Sequence, residues 1–128
     1  MNYRHAYHAG NHADVVKHIA LARLIAHLKK KDKPFVFLDA HAGAGAYDLQ
    51  GLEAGKTGEW EEGIGKLHAP LNPAAEDLIA PYRSAIAALN SGGGLRHYPG
   101  SPEIAVRLLR EQDRIVLNEL HPEDCDSA

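Results

Sequence analysis

Phe35-Val36-Phe37-Leu38-Asp39-Ala40-His41-Ala42-Gly43-Ala44-Gly45 is the stretch whose reading decides the fold. Phe35 to Leu38 is a short apolar run with aromatic and β-branched members, which predicts a buried parallel strand. An acid, Asp39, closes the run, and a small-residue loop with two glycines follows. Glycine lets the backbone come close to a ligand that a Cβ would push away. Ligands of open α/β sheets sit beyond the carboxyl ends of strands. The loop is therefore the first candidate for a cofactor site.

The spacing narrows the cofactor. A dinucleotide fingerprint needs Gly-x-Gly-x-x-Gly, but Asp48 stands where the third glycine belongs. A pyrophosphate would meet that negative charge near the helix start. Asp39-x-x-x-Gly43-x-Gly45 after an apolar strand instead resembles the first motif of class I S-adenosylmethionine-dependent methyltransferases. That cofactor carries an ammonium and a sulfonium and no phosphate, so an acid at the strand end is electrostatically favourable. Taken alone, the motif leaves three readings open: a methyltransferase, a nucleotide or dinucleotide site, and a plain tight turn between strand and helix.

Outward from the loop, the 128 residues suffice for one small domain with a modest core. No run of about 18 apolar residues marks a membrane span, and no apolar signal-peptide core stands at the start, so the cytoplasm is the expected location. The single cysteine, Cys125, leaves no internal disulfide. The net charge of −3 argues against bulk attraction to nucleic acid, but its distribution is uneven. Residues 1–33 hold seven Lys/Arg against two Asp, and residues 34–128 hold seven against fifteen acids. Such asymmetry suits a basic face that meets a polyanion, or a solvated helix end, since Lys29-Lys30-Lys31 also complements a helix C-terminus.

Along the chain, Tyr3, Arg4, His5, Tyr7 and His8 crowd ring side chains into the first ten residues. Rings with cations stack on bases, and they equally cover a core edge. Asn11 predicts an N-cap with Asp14 as a box-like partner, opening a helix from His12 to Lys31 that Lys33-Pro34 stops. Lys17 and His18 fall mid-helix among apolar neighbours, so Lys17 either reaches the surface or faces a pocket. His8 and His12 have i,i+4 spacing, but no His-Glu-x-x-His or cysteine pair accompanies them, and no metal is expected. Tyr47 to Gly58 reads as loop, and Thr57 as the cap of a short helix through Leu67. Asn72-Pro73 opens a helix to about Asn90 that Pro81 should kink or split. Arg96-His97-Tyr98 reads as a short extended piece, and Ser101-Pro102 as cap plus first turn of a helix to Arg110. Ile115-Val116-Leu117 is the second buried strand, with Glu119 beyond its end. Methyltransferases and Rossmann proteins both place an acid there, where it accepts hydrogen bonds from ribose hydroxyls. An exposed acid after an edge strand is the competing reading. The usual gap from the glycines is about 20 residues. Here it is far longer, which makes the mostly helical stretch 48–94 an insertion.

Several stretches together resemble the family of ribosomal RNA large-subunit methyltransferase J, the 23S ribosomal RNA adenine-N6 methyltransferases. They are Tyr-Arg-His-x-Tyr-His-Ala-Gly-Asn-His-Ala-Asp-Val from Tyr3 to Val15, followed by Lys17-His18; Asp32-Lys33-Pro34-Phe35; and the loop from Leu38 to Gly45. Thr57-Gly58-Glu59, Tyr98-Pro99-Gly100-Ser101-Pro102, the run from Leu108 to Asp113 and Glu119-Leu120-His121-Pro122 complete the set. The resemblance implies an α/β, Rossmann-like class I methyltransferase fold, N-terminal part only, with a helical insertion. Residues 1–47 and 95–122 would form the cofactor-binding half, 48–94 an inserted helical subdomain, and 123–128 an acidic tail. His18, His41, Ser101 and Glu119 would line the S-adenosylmethionine pocket, and Asp39 and Gly43 join them through the glycine loop. Tyr3, His5 and Lys17 would face the adenine of 23S ribosomal RNA.

The sequence departs from the family in one respect. The carboxylate that receives the N6 hydrogens normally lies in Asp-Pro-Pro-Tyr, and neither that motif nor Asn-Pro-Pro occurs here. The resemblance thus implies a chain without its catalytic aspartate, inactive alone. An RNA-binding module without catalysis is the alternative. With two good strands, a sheet edge meant to be covered is exposed, which predicts low stability or self-association.

Overall fold

Two parallel strands carry the glycine loop. In the computed structural model, which describes residues 4–120, β1 (Val36–Asp39) pairs with β4 (Arg114–Leu117), with Val36 opposite Arg114 and Asp39 opposite Leu117. The ladder runs on at both ends, where the Arg114 N–H donates to the Phe35 carbonyl at 3.0 Å and the Asn118 N–H to the Asp39 carbonyl at 2.9 Å. Side chains alternate across the pair. Phe37, Asp39, Ile115 and Leu117 are half-buried, and Val36, Leu38, Arg114 and Val116 are exposed. Helix α4 (Ser101–Leu108) lies against both strands, and α1 (His12–Leu28) packs on α4 and on α3 (Pro73–Leu89).

A second, antiparallel pair closes the loop from the other side. β2 (Ala46–Asp48) meets β3 (His97–Pro99) with Tyr47 opposite Tyr98. Val15 and Ala22 of α1, Ala44 and Tyr47 beside the loop, and Leu49, Ala54, Ile64 and Tyr82 from the stretch 48–94 share one core with Tyr98. No helix among the described residues is long and apolar enough to cross a membrane. Tyr3, His121 and the tail 123–128 lie outside the described residues.

Local expectations divide by whether their cause is local. The Asn11 cap forms, its Oδ1 accepting the Asp14 N–H at 2.9 Å, and Asn72 caps α3 in the same way through the Ala75 N–H. α1 stops at Leu28 rather than Lys31: the N–H groups of Lys30 and Lys31 turn back to the carbonyls of His27 and Leu28, three residues away, and the carbonyls of Lys29, Lys31 and Lys33 accept from Arg110. Tyr47 to Gly58 is not loop throughout. Ala46–Asp48 is strand β2, recruited by distant β3, and Leu52–Thr57 is a short helix, α2. Thr57 ends that helix instead of capping the next, and its Oγ1 donates to the Tyr7 carbonyl. The helix expected from 59 to 67 is two 3-10 turns, Glu59–Glu62 and Ile64–His68, parted at Gly63 where the chain passes against Gly10 and Asn11. Pro81 does not split α3. Proline removes one backbone donor, and the burial of Ile79, Tyr82 and Ala85 on either side holds the helix through it.

Candidate cofactor site

The site lies beyond the carboxyl ends of β1 and β4. Asp39 closes β1, and both its carboxylate oxygens accept a hydrogen bond: Oδ1 from the His41 N–H at 3.1 Å and Oδ2 from the Ser101 hydroxyl. Ser101 is the first residue of α4 and not its cap, a position held by Gly100, so its hydroxyl is released for Asp39. The loop then folds over β4. The Ala42 N–H donates to the Asn118 carbonyl at 2.9 Å, and Asn118 Nδ2 donates to the Ala40 carbonyl at 3.0 Å. At Gly43 the backbone takes φ 68°, which favours glycine. Its N–H donates to Glu119 Oε1 at 2.8 Å, and a Cβ there would lie 2.5 Å from the Tyr47 hydroxyl. That hydroxyl accepts the Ala44 N–H at 3.0 Å, and the Gly45 carbonyl accepts the Gly100 N–H at 2.9 Å. Asp39, His41, Gly43, Ser101 and Glu119 are thus brought together by two strand ends and one loop.

His5, Lys17 and His18 gather on a second centre, the buried Asp14. Asp14 Oδ2 lies 2.8 Å from His5 Nε2 and accepts the Gly10 N–H at 3.0 Å. Lys17 Nζ stands 3.3 Å and His18 Nε2 3.6 Å from Oδ1. Lys17 both reaches the surface and pairs, with its side chain 60% exposed. His18 is 1% exposed, and its Nδ1 meets the Tyr98 hydroxyl at 2.8 Å; Tyr82 Oη follows at 2.9 Å from Tyr98 Oη. The centres adjoin through Tyr47, on whose ring His5 packs edge-on with centroids 5.5 Å apart.

Electrostatics orders the protons in this cluster. Burial opposes the Asp14 charge, but the His5 hydrogen bond, the charges of His18 and His5 and the Gly10 N–H outweigh it, holding the carboxyl at about 2. Burial pushes His18 down to about 4, helped by Lys17 and His5, against the pull of Asp14 and Asp39. Burial likewise raises both Tyr82 and Tyr98. At neutral pH Asp14 is therefore an anion, His18 is neutral and both tyrosines keep their protons. An anion beside Nε2 favours the tautomer with its hydrogen there, so Tyr98 donates to Nδ1 and Tyr82 donates to Tyr98.

Asp14, Tyr47, Tyr98 and Asn118 were not among the residues singled out for the site. Asp14 had a legible signal, since Lys17 and His18 follow at i+3 and i+4, the spacing of neighbours on a helix. The tyrosines had none, because β2 and β3 meet only in the folded chain. No group of three His, Cys, Asp or Glu among the described residues is placed to hold a metal.

Residues 32–127 match the family model described as "Ribosomal RNA large subunit methyltransferase D, RlmJ". The chain belongs to this family. It is 51% identical over 124 residues to Ribosomal RNA large subunit methyltransferase J of Escherichia coli (strain K12), and 53% identical over 125 residues to the protein of the same name from Haemophilus influenzae. Each match covers 97% of this chain and 44% of the relative, so the chain spans less than half the length of these curated relatives. A crystal structure of a protein from Legionella pneumophila str. Philadelphia 1 superposes with a TM-score of 0.77 at 41% identity, over 92% of this chain and 42% of that one. The parallel pair and its glycine loop lie within the stretch that matches this family.

Proposed function

We propose that this chain carries the S-adenosylmethionine site of a Rossmann-like class I methyltransferase that acts on the N6 of an adenine in 23S ribosomal RNA, in the cytoplasm. The observation that carries the reading is the Gly43 N–H on Glu119 Oε1 at the ends of adjacent parallel strands. It sets an acid against a glycine loop in a chain whose family is one of methyltransferases. The donor set fits this cofactor. Asp39 and Glu119 make the loop's surroundings acidic, which suits an ammonium, a sulfonium and ribose hydroxyls and repels a pyrophosphate. Glu119 would hold the ribose, with His41, Ser101, Asp39 and Gly43 around it; His18, buried against Asp14 and Tyr98, is assigned to the same pocket from the resemblance.

The cofactor, when bound, supplies a methyl group to a nucleophile. This chain's own residues bind and orient. An exocyclic adenine amine is a weak nucleophile, so the base must be extruded and held in alignment. His5 and Lys17, held on Asp14, would meet it, and Tyr3 is assigned the same role from the resemblance alone. The carboxylate that accepts the N6 hydrogens is assigned to the family's Asp-Pro-Pro-Tyr, which this sequence does not contain.

Titration calorimetry of S-adenosylmethionine into the 128-residue chain, with Glu119→Ala and Glu119→Gln beside it, tests the reading. Binding that both substitutions weaken at least ~10-fold is expected, since each removes a hydrogen bond to a charged group. NAD binding in its place would return the loop to the dinucleotide class. RNA binding without any cofactor binding would leave a recognition module.

A further inference from the structure

The side chains of Lys30, Lys31 and Lys33, just past the end of α1, make no hydrogen bond or ion pair among the described residues. Arg110, on the turn between α4 and β4, donates to the carbonyls of Lys29 at 3.3 Å, Lys31 at 2.9 Å and Lys33 at 3.3 Å. Its Nε holds Asp113 Oδ2 at 3.0 Å, and the other Asp113 oxygen accepts the Phe35 N–H. Gln112 Nε2 donates to the Asp32 carbonyl at 2.7 Å. The two turns are stitched into one rigid end, and the carbonyls that lysines commonly serve after a helix are already taken. Lys30, Lys31, Lys33 and Arg114 are exposed there, and none makes an ion pair among the described residues. Among the described residues of these two turns, the acids not held by Arg110 are Asp32 and Glu111.

Position decides what these cations meet. Lys33 and Arg114 precede or open β1 and β4, whereas Asp39, Gly43 and Glu119 end or follow them. A four-residue strand separates the two ends by about 13 Å. Along α1, Lys30 stands ~20 Å from Lys17 at about 1.5 Å per residue. A nucleotide or S-adenosylmethionine does not span that distance. A nucleic-acid duplex does, presenting a charge about every 1.7 Å and so on the order of ten phosphates over the interval.

We propose that Lys30, Lys31, Lys33 and Arg114 form a second RNA-backbone contact, at the opposite end of β1 and β4 from the cofactor site. It rests on the RNA substrate proposed above. The contact grips phosphates of the same folded RNA whose adenine enters beside Lys17. Four flexible cations carry no base readout, so the patch sets register and orientation and leaves sequence to the other end.

Filter binding of a labelled RNA hairpin to the full 128-residue chain, over a series of KCl concentrations, tests this. The variants are Lys30→Ala/Lys31→Ala/Lys33→Ala and, separately, Lys17→Ala. The triple variant should bind at least ~10-fold more weakly at low salt, with a log–log salt slope shallower by about 2, at roughly 0.7–0.9 per lost phosphate contact. Its thermal midpoint and its S-adenosylmethionine heat should match the parent chain. Wild-type affinity and slope in the triple variant, with loss in Lys17→Ala, would overturn the second contact and leave the RNA reading standing. No RNA binding by the parent chain would overturn both. Polyglutamate binding the parent as tightly as the hairpin does would assign the patch to an acidic protein instead.

Discussion

His18 shows how one buried ring links stability to pH. Its pKa in the folded chain is about 4, against 6.5 for an exposed histidine. Between those values the unfolded chain takes up a proton that the folded chain refuses, so stability rises with pH across the window. The contribution is fully present above about pH 6.5 and is lost as pH falls towards 4. The shift is worth up to roughly 3 kcal/mol. Asp14 works in the same direction lower down: a carboxyl held at about 2, from 3.8, loses its contribution only as pH falls below about 4. Urea midpoints measured from pH 7.5 to 4.5 should therefore fall steadily in the parent chain and flatten in His18→Gln, which cannot titrate. Equal slopes for the two would mean that the His18 pocket does not hold the ring neutral.

At the scale of elements, close backbone approaches fix how the loops meet the helices. A Cβ on Gly100 would fall inside the van der Waals surface of the Ala44 carbonyl oxygen, and one on Gly63 inside that of the Gly10 carbonyl oxygen. Neither obstacle is a flexible side chain, so backbone must move. Gly100 also anchors the glycine loop through its N–H on the Gly45 carbonyl and caps α4. Gly100→Ala and Gly63→Ala are each expected to destabilise by at least ~2 kcal/mol, in the range of overpacked cores. Gly92→Ala, with open space around it, should change stability by less than about 0.5 kcal/mol. Gly100→Ala should also weaken S-adenosylmethionine binding, because it shifts the loop itself. Chemical denaturation of the three variants separates these outcomes. A Gly100→Ala chain as stable as the parent would show that the loop is not packed as tightly as its contacts require.

For the whole molecule, the open face of the parallel pair is the dominant feature. Parallel strands are ordinarily covered on both faces. Here α4 covers one, and Val36, Leu38 and Val116 are 60%, 65% and 48% exposed on the other. Contiguous exposed apolar surface of this kind favours association. Sedimentation velocity should show mass rising with concentration, and Leu38→Lys/Val116→Lys should return the chain to a monomer with the same secondary structure. A parent chain that stays monomeric at every concentration would show that this face tolerates water unaided.

By itself the sequence determined the two parallel strands, the caps at Asn11 and Asn72, the glycine loop and the acids at both strand ends. Each follows from neighbours within a few residues, and the family was legible because its motifs are long and ordered. The burial expected of those strands holds on one face only, because α4 covers that face and Val36, Leu38 and Val116 stay exposed on the other. What it left undecided depends on residues far apart. Strand β2 exists because Tyr47 pairs with Tyr98, some fifty positions away. Ser101 serves Asp39 because α4 lies on β1, and the chain that follows α1 is held because Arg110, some eighty positions away, binds its carbonyls. Asp14 looked like half of a capping box until folding brought His5, Lys17 and His18 around it. A short-range pattern fixes what a segment prefers, and only the packed chain decides which distant partner satisfies each buried donor, acceptor and charge.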